Sequence, residues 1–411
     1  MRIIHTSDWH LGQHFITKSR LSEHQAFLKW LLDQVKSLKV DAIIVAGDIF
    51  DTGSPPSYAR QLYNQFIVDL QQVTCQLLIL GGNHDSVATL NESTNLLACL
   101  NTHVIPCVQD TPEKQVLVLN KADGEPGAVV CAIPFVRPRD VLESQAGQSG
   151  SEKQSALQNA ISDHYQTIYD LARIKAKSFE PALPVIATGH LTTVGVKTTD
   201  SVREIYIGTL EAFPSNAFPK ADYIALGHIH RAQKVGKTEH IRYSGSPIPL
   251  SFDEVGKTKS VYLVDFKDSK LDSVEAVEIP TFQPMQLIKG DLAEIELKLE
   301  SLRDHEGELP VWLDIEVTTQ QYLTDLQRRI EALTADLPVE VLLLRRQKAN
   351  RQVTLGREAK ETLNELNAEQ VFEKRLAQED FQSDEDKARL ARVRMAFASI
   401  VSEAQAQGDE L

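Results

Sequence analysis

The sequence predicts an α/β protein in layers, followed by a smaller α+β unit and a helical tail. Three observations predict it. Short β-rich apolar runs alternate with longer helix-like stretches from residue 1 to about 275. A compact β-α-β-α-β pattern then fills residues 282 to 347, after the proline-punctuated "IPTFQP". From about residue 355, strand signals stop and Glu, Lys, Arg and Ala accumulate. The division is therefore residues 1–278, 279–348 and 349–411. With 411 residues and 42% hydrophobic content, the chain can bury a core of that extent.

In order, the expected strands of the first region are "RIIHT", "DAIIVAG", "QLLIL", "AVVCAIP", "LPVIATG", "DYIALG", "IRYSGS" and "SVYLVDF". Between the fourth and fifth, the polar run "ESQAGQSGSEKQS" reads as a surface loop leading into a helix of roughly residues 155 to 177. The second region offers "MQLIKG", "VWLDIEV" and "VEVLLLRRQ" as strands, with "LAEIELKLESL" and "QYLTDLQRRIEAL" as helices between them. In the tail, Leu390, Val393, Phe397 and Ile400 recur at helical spacing and share one face. Leu363, Leu366, Phe372 and Leu376 repeat the idea less regularly. Such stripes either fold back onto their own domain or dock a partner helix or coiled coil; the acidic, terminal setting favours docking.

No stretch approaches the roughly 18 apolar residues of a membrane helix, and no signal peptide or anchor is legible. Cys75, Cys99, Cys107 and Cys131 are widely spaced without a C-x-x-C, which points to reduced, mostly buried thiols in a cytoplasmic protein. The net charge of −14 is uneven: residues 1 to 250 hold 22 Lys and Arg against 24 Asp and Glu, residues 251 to 411 hold 21 against 33. A chain so charged does not grip nucleic acid through a broad basic face of its own. Cations or a partner subunit must supply that attraction. Arg328, Arg329, Arg345 and Arg346 are candidate phosphate contacts, though a solvated face accounts for them equally well.

The residues just beyond the strands carry the chemistry. Asp8 and His10 lie after the first, Asp48 after the second, Asn83 and His84 after the third, His190 after the fifth, and His228 and His230 after the sixth. In open α/β sheets, sites gather beyond the carboxyl ends of strands, so these residues can converge. Gly47, Gly82, Gly189 and Gly227 stand just before ligands and permit close backbone approach. Imidazoles, carboxylates and one amide oxygen suit Mn, Fe or Zn better than Ca or Mg. Seven ligands exceed the needs of one ion, whereas a cation pair bridged by one carboxylate would use them all. Asp48 is the expected bridge, with Asp8, His10 and His230 on one ion and Asn83, His190 and His228 on the other. His84, beside a ligand, is free to protonate or stabilise a leaving oxygen, and Asp85 could orient it. A lone D-x-H is a weak signal, and His103, His164, His240 and His305 read as ordinary polar residues. His5 and His14 read as structural or supporting. Five ordered strand ends are much harder to assign to turn chemistry alone.

"DWH", "GDIFD", "GGNHD", "GH" and "GHIH", in this order, resemble the calcineurin-like metallophosphoesterase superfamily over roughly residues 1 to 275. The resemblance implies a two-sheet α/β sandwich with outer helices, where pattern alone suggests a single doubly wound sheet. Within that superfamily, "IIHTSDWHLGQ", "GDIFDTGSPPSYAR", "GHIHRAQ" and "YSGSPIPLSFDE" are similar to bacterial members of the Mre-type DNA-repair nuclease family. That similarity implies two Mn2+ ions, exonuclease action on duplex DNA ends, endonuclease action on single strands and hairpins, and roles in repair and in fork and palindrome processing. It further implies a capping domain, an SMC-like ATPase partner of the SbcC type docked by the C-terminal helices, and a homodimer within a heterotetramer. The family's ligands match Asp8, His10, Asp48, Asn83, His190, His228 and His230, and its catalytic histidine matches His84. Asp51 departs, since archaeal and eukaryotic relatives carry a second histidine there. A phosphatase or small-molecule phosphodiesterase on the same fold is the nearest rival; a scaffold without metals is a more distant one.

Overall fold

In the computed structural model, residues 1–142, 149–203, 205, 212–318, 325–346 and 397 are described. The large strands are β1 (Arg2–Thr6), β2 (Ala42–Ala46), β3 (Gln76–Leu80), β4 (Thr102–Ile105), β5 (Val116–Asn120) and β6 (Pro126–Cys131). They continue with β7 (Val185–His190), β8 (Tyr223–Gly227), β9 (Gln233–Lys234), β10 (Ile241–Tyr243), β11 (Ser260–Lys267) and β12 (Lys270–Glu278). They form two six-stranded sheets, ordered β12-β11-β1-β2-β3-β4 and β9-β10-β8-β7-β6-β5. Within each, a block of four parallel strands carries the centre: β1 to β4 in one, and β10, β8, β7 and β6 in the other. Two sheets, not one, carry the domain.

Alternation along the strands explains the layering. On β2, Ala42 and Ile44 point between the sheets while Ile43 and Val45 point outward; on β3, Leu78 and Leu80 point in and Leu77 and Ile79 out. Both faces being covered, the strands read as continuous apolar runs. Ala128, Val130, Ile186 and Ala225 of the second sheet complete the middle layer. Phe27, Leu31 and Val35 of helix α1 (Leu21–Leu38) and Tyr63, Phe66 and Ile67 of α2 (Ser57–Leu70) cover the outside of the first sheet. Leu157, Ile161, Tyr165 and Ile168 of α3 (Gly150–Lys177) cover the second. The result is a helix–sheet–sheet–helix sandwich.

The helix α3 begins at Gly150, earlier than expected. Ser149 Oγ accepts from the Glu152 amide (3.3 Å) and Glu152 Oε2 accepts from the Ser149 amide (2.8 Å), a capping box that starts the helix inside the presumed loop. Cys75 and Cys131 are buried as expected, but Cys99 is exposed and Cys107 half-buried.

Residues 285–346 add a parallel sheet of β13 (Met285–Gly290), β14 (Val311–Val317) and β15 (Val339–Arg346), with helices Leu292–Glu300 and Leu326–Thr334. Ile288, Ile295, Leu299, Leu313, Ile315 and Ile330 form its own core. Trp312 meets Phe15 (ring centroids 5.9 Å apart), which meets Phe252 (5.0 Å), and the Arg20 guanidinium lies 5.0 Å from the Phe15 ring centre. This compact unit runs from Met1 to Arg346; the tail stripes expected after residue 355 lie outside the described residues apart from Phe397.

His5 illustrates a structural histidine. Fully buried on β1, it accepts from Tyr223 Oη at Nδ1 (2.9 Å) and donates from Nε2 to the Leu226 carbonyl (3.2 Å). Burial pushes its pKa down to about 3, outweighing the help of the Leu226 carbonyl. The unfolded chain therefore takes up a proton below pH 6.5 that folded His5 refuses, and stability drains as pH falls from 6.5 toward 3. Between pH 7 and pH 5 the loss from this group is about 2 kcal/mol. Urea unfolding of the metal-free chain at the two pH values is expected to show a smaller pH dependence in His5→Gln; an unchanged dependence would contradict the assignment.

Candidate metal centre

Five strand ends meet at one edge of the sandwich: those of β1, β2 and β3 from one sheet, β7 and β8 from the other. Short backbone bonds knit the loops, from Asp8 N–H to the Gly47 carbonyl and from His10 N–H to the Asp48 carbonyl, both 3.0 Å. The His228 amide donates to Asp8 Oδ1 (2.9 Å), joining the two sheets. Asp8, His10, Asp48 and His228 all adopt positive φ (53°, 46°, 52° and 91°), a backbone that side chains other than glycine rarely take. Strain concentrated in four neighbouring site residues marks a functional centre. A Cβ on Gly82 would overlap the Asp48 carboxylate, and one on Gly227 the Ala46 carbonyl oxygen, so both positions require glycine for close approach.

The side chains fall into overlapping groups whose ligand atoms lie within 4.8 Å of one another: Asp8, His10 and His230; Asp48, His190 and His228; and His10, Asp48 and His84. Asn83 joins the second group, its Oδ1 2.9 Å from His190 Nε2 and 3.0 Å from His228 Nδ1. Asp48 Oδ2 stands between, 3.2 Å from His190 Nε2 and 3.6 Å from His10 Nε2. All seven predicted ligands are thus brought together. His190 donates from Nδ1 to the Ala46 carbonyl (2.9 Å), which leaves Nε2 facing the group.

Electrostatics and unmet bonding both fit divalent cations. Burial alone would raise the Asp48 pKa, yet His190, His10 and His84 hold it well below the usual carboxylate range. Burial would likewise lower His190, but Asp48 chiefly lifts it to about 9. A proton there balances charge that a cation would otherwise balance, so metal uptake releases protons. His10 Nε2, Asp48 Oδ2 and His228 Nε2 are buried without a hydrogen-bond partner. Orphaned polar atoms of this kind are costly unless something is bound to them. The residues present fit a divalent metal site.

His84 lies half-buried at the rim of this centre. Its amide donates to Asp48 Oδ1 (2.8 Å) and its Nδ1 donates to the Asp51 carbonyl (2.7 Å), so Nε2 is the free ring atom. Burial moves its pKa down, with Asp48 pulling the other way. Asp85 does not orient it, contrary to expectation. Its carboxylate accepts instead from the amides of Ile49 (3.1 Å), Phe50 (2.9 Å) and Gly82 (2.8 Å), tying the loop after β2 to the loop after β3. Asp51 Oδ1 accepts from His10 Nδ1 (3.1 Å), so the carboxylate at this position braces a ligand histidine while its own carbonyl braces His84.

Sequence reasoning missed Ser201, Glu254 and Lys259, which close around His230; nothing in "TTDSV" or "SFDE" distinguishes them from surface polar residues. It also assigned free cations where ion pairs exist: Arg345 pairs with Asp314, and Arg329 with Asp325 at 2.9 Å.

A family model described as calcineurin-like phosphoesterase matches residues 1–232, and one described as type 5 capsule protein repressor C-terminal domain matches residues 281–380. The chain is 59% identical over 401 residues to the SbcD subunit of the nuclease SbcCD from Escherichia coli (strain K12), covering 98% of both chains. It is 30% identical over 331 residues to the SbcD subunit from Bacillus subtilis (strain 168), covering 79% of this chain and 81% of that one. The chain therefore belongs to the calcineurin-like phosphoesterase family, among its SbcD nuclease subunits. Among the described residues, no helix is long and apolar enough to cross a membrane.

Proposed function

We propose that this chain is the nuclease subunit of a DNA-processing complex, a phosphodiesterase working with two Mn2+ ions. The observation that carries the reading is the convergence of seven ligands from five strand ends of two sheets, with three of their atoms buried and unpartnered. Asp8, His10 and His230 would hold one ion, Asn83, His190 and His228 the other, with Asp48 shared. When bound, such a pair supplies Lewis acidity toward a phosphate oxygen and a water of lowered pKa. The chain's own part is to fix that geometry and to hold a proton at His84 Nε2, within reach of a leaving oxygen. The names of the relatives, as parts of the nuclease SbcCD, support a cytoplasmic DNA substrate and an SMC-like ATPase partner of the SbcC type. Residues 279–348 would then act as a capping domain, residues 349–411 as the partner's docking helices, and two copies of the chain would sit in a heterotetramer.

The test is an end-labelled duplex closed by a hairpin, incubated with manganese and the full chain, with and without the partner. Cleavage that requires manganese and stops on chelation is the expected result. Hydrolysis of bis(4-nitrophenyl) phosphate with no DNA cleavage in either arm would replace it with a small-molecule phosphodiesterase.

A further inference from the structure

The three histidines with a braced ring nitrogen are not braced alike. His190 leans on a backbone carbonyl and His10 on the Asp51 carboxylate. His230 leans on a buried polar hub. Ser201 Oγ lies 2.6 Å from His230 Nδ1 and donates to Glu254 Oε1 at 2.5 Å. Glu254, itself 1% exposed, accepts further from Thr199 Oγ1 (3.0 Å), Ser246 Oγ (3.3 Å), the Leu250 amide (3.1 Å) and Lys259 Nζ (2.5 Å).

Hydrogen counting settles the arrangement. An ionised carboxylate only accepts, and a serine has one hydroxyl hydrogen. With that hydrogen committed to Glu254, Ser201 Oγ can only accept from His230, which must carry its proton on Nδ1. The lone pair of Nε2 is then directed to the group it shares with Asp8 and His10. A carboxylate at the far end of such a chain orients the ring and raises the basicity of the ligating nitrogen. Lys259 keeps Glu254 ionised, holding its pKa far below the usual carboxylate range against the effect of burial.

We propose that Ser201 and Glu254 are positioning residues for the cation pocket of Asp8, His10 and His230, acting through the Nδ1–H of His230. The inference rests on the dimetal reading above and adds to it a selective effect: one pocket depends on this relay and the other does not. Ser201 is the better residue to change, because it is only partly buried and its loss leaves the Glu254–Lys259 pair intact.

Free Mn2+ is followed by electron paramagnetic resonance while the metal-free full chain is titrated. The wild type is expected to take up two ions. Ser201→Ala keeps one at wild-type affinity and binds the other about 10- to 100-fold more weakly. Ser201→Thr, which retains the hydroxyl, restores the lost affinity. Thermal unfolding of the metal-free proteins accompanies each titration, and a site-selective loss at unchanged melting temperature is what general loosening cannot produce. Two ions bound by Ser201→Ala at wild-type affinity would remove the relay and leave the dimetal reading standing. A wild type that binds no manganese would overturn both.

Discussion

Asp48→Asn is expected to cost the chain its shared ligand and to lower manganese-dependent DNA cleavage on the order of 10³-fold or more, the equivalent of several kcal/mol of metal-derived stabilisation. The change is close to isosteric. Asparagine tolerates the left-handed backbone that Asp48 adopts, and its amide oxygen can still accept from His84 N–H in place of Oδ1. The loss is the charge on Oδ2, the buried, unpartnered atom between His10 and His190. Without that charge, His190 loses the main influence that lifts its pKa to about 9, so one charge pair is removed at once. The fold is expected to survive while manganese uptake falls below two ions per chain in the same titration. Full uptake of two ions by Asp48→Asn would show that Asp48 does not bridge.

Position in the sheets decides how much of this is legible in the sequence. The eight strands expected from pattern are the eight inner strands of the two sheets; the four missed, β4, β5, β9 and β12, are their four edges. An inner strand is covered on both sides and must be apolar throughout. An edge strand such as Lys270–Glu278, mostly exposed, carries charges that keep it from pairing with other chains and erase its signal. The ligands are legible for a related reason. Asp8, His10, Asp48, Asn83, His190, His228 and His230 each lie at or just beyond the end of an inner strand, and the strand end itself announces them. Ser201 and Glu254 have no such strand before them; the first lies in a loop and the second in a single 3-10 turn, Phe252–Glu254. Their role exists only in three dimensions, where loop closure brings them to the Nδ1 side of His230. Asp85 shows the converse error. Adjacency to His84 in sequence suggests a partnership, yet successive residues in a tight turn point apart, and the Asp85 carboxylate turns inward to three amides.

His84→Ala separates chemistry from metal binding. The ring touches the centre at its edge, with its centroid 4.6 Å from that of His10, but its Nδ1 is committed to the Asp51 carbonyl, leaving Nε2 alone to meet a substrate. Its amide bond to Asp48 belongs to the backbone and persists in alanine. Both pockets should therefore load as in the wild type, while cleavage falls by about 10²- to 10⁴-fold, the range for losing a positioned proton donor. The loss should depend on the leaving group. A 4-nitrophenolate departs without a proton, so hydrolysis of bis(4-nitrophenyl) phosphate should suffer far less than cleavage of DNA, whose leaving alkoxide needs one. Equal losses on both substrates, with two manganese ions still bound, would instead assign His84 to holding the phosphate and leave the proton to another source.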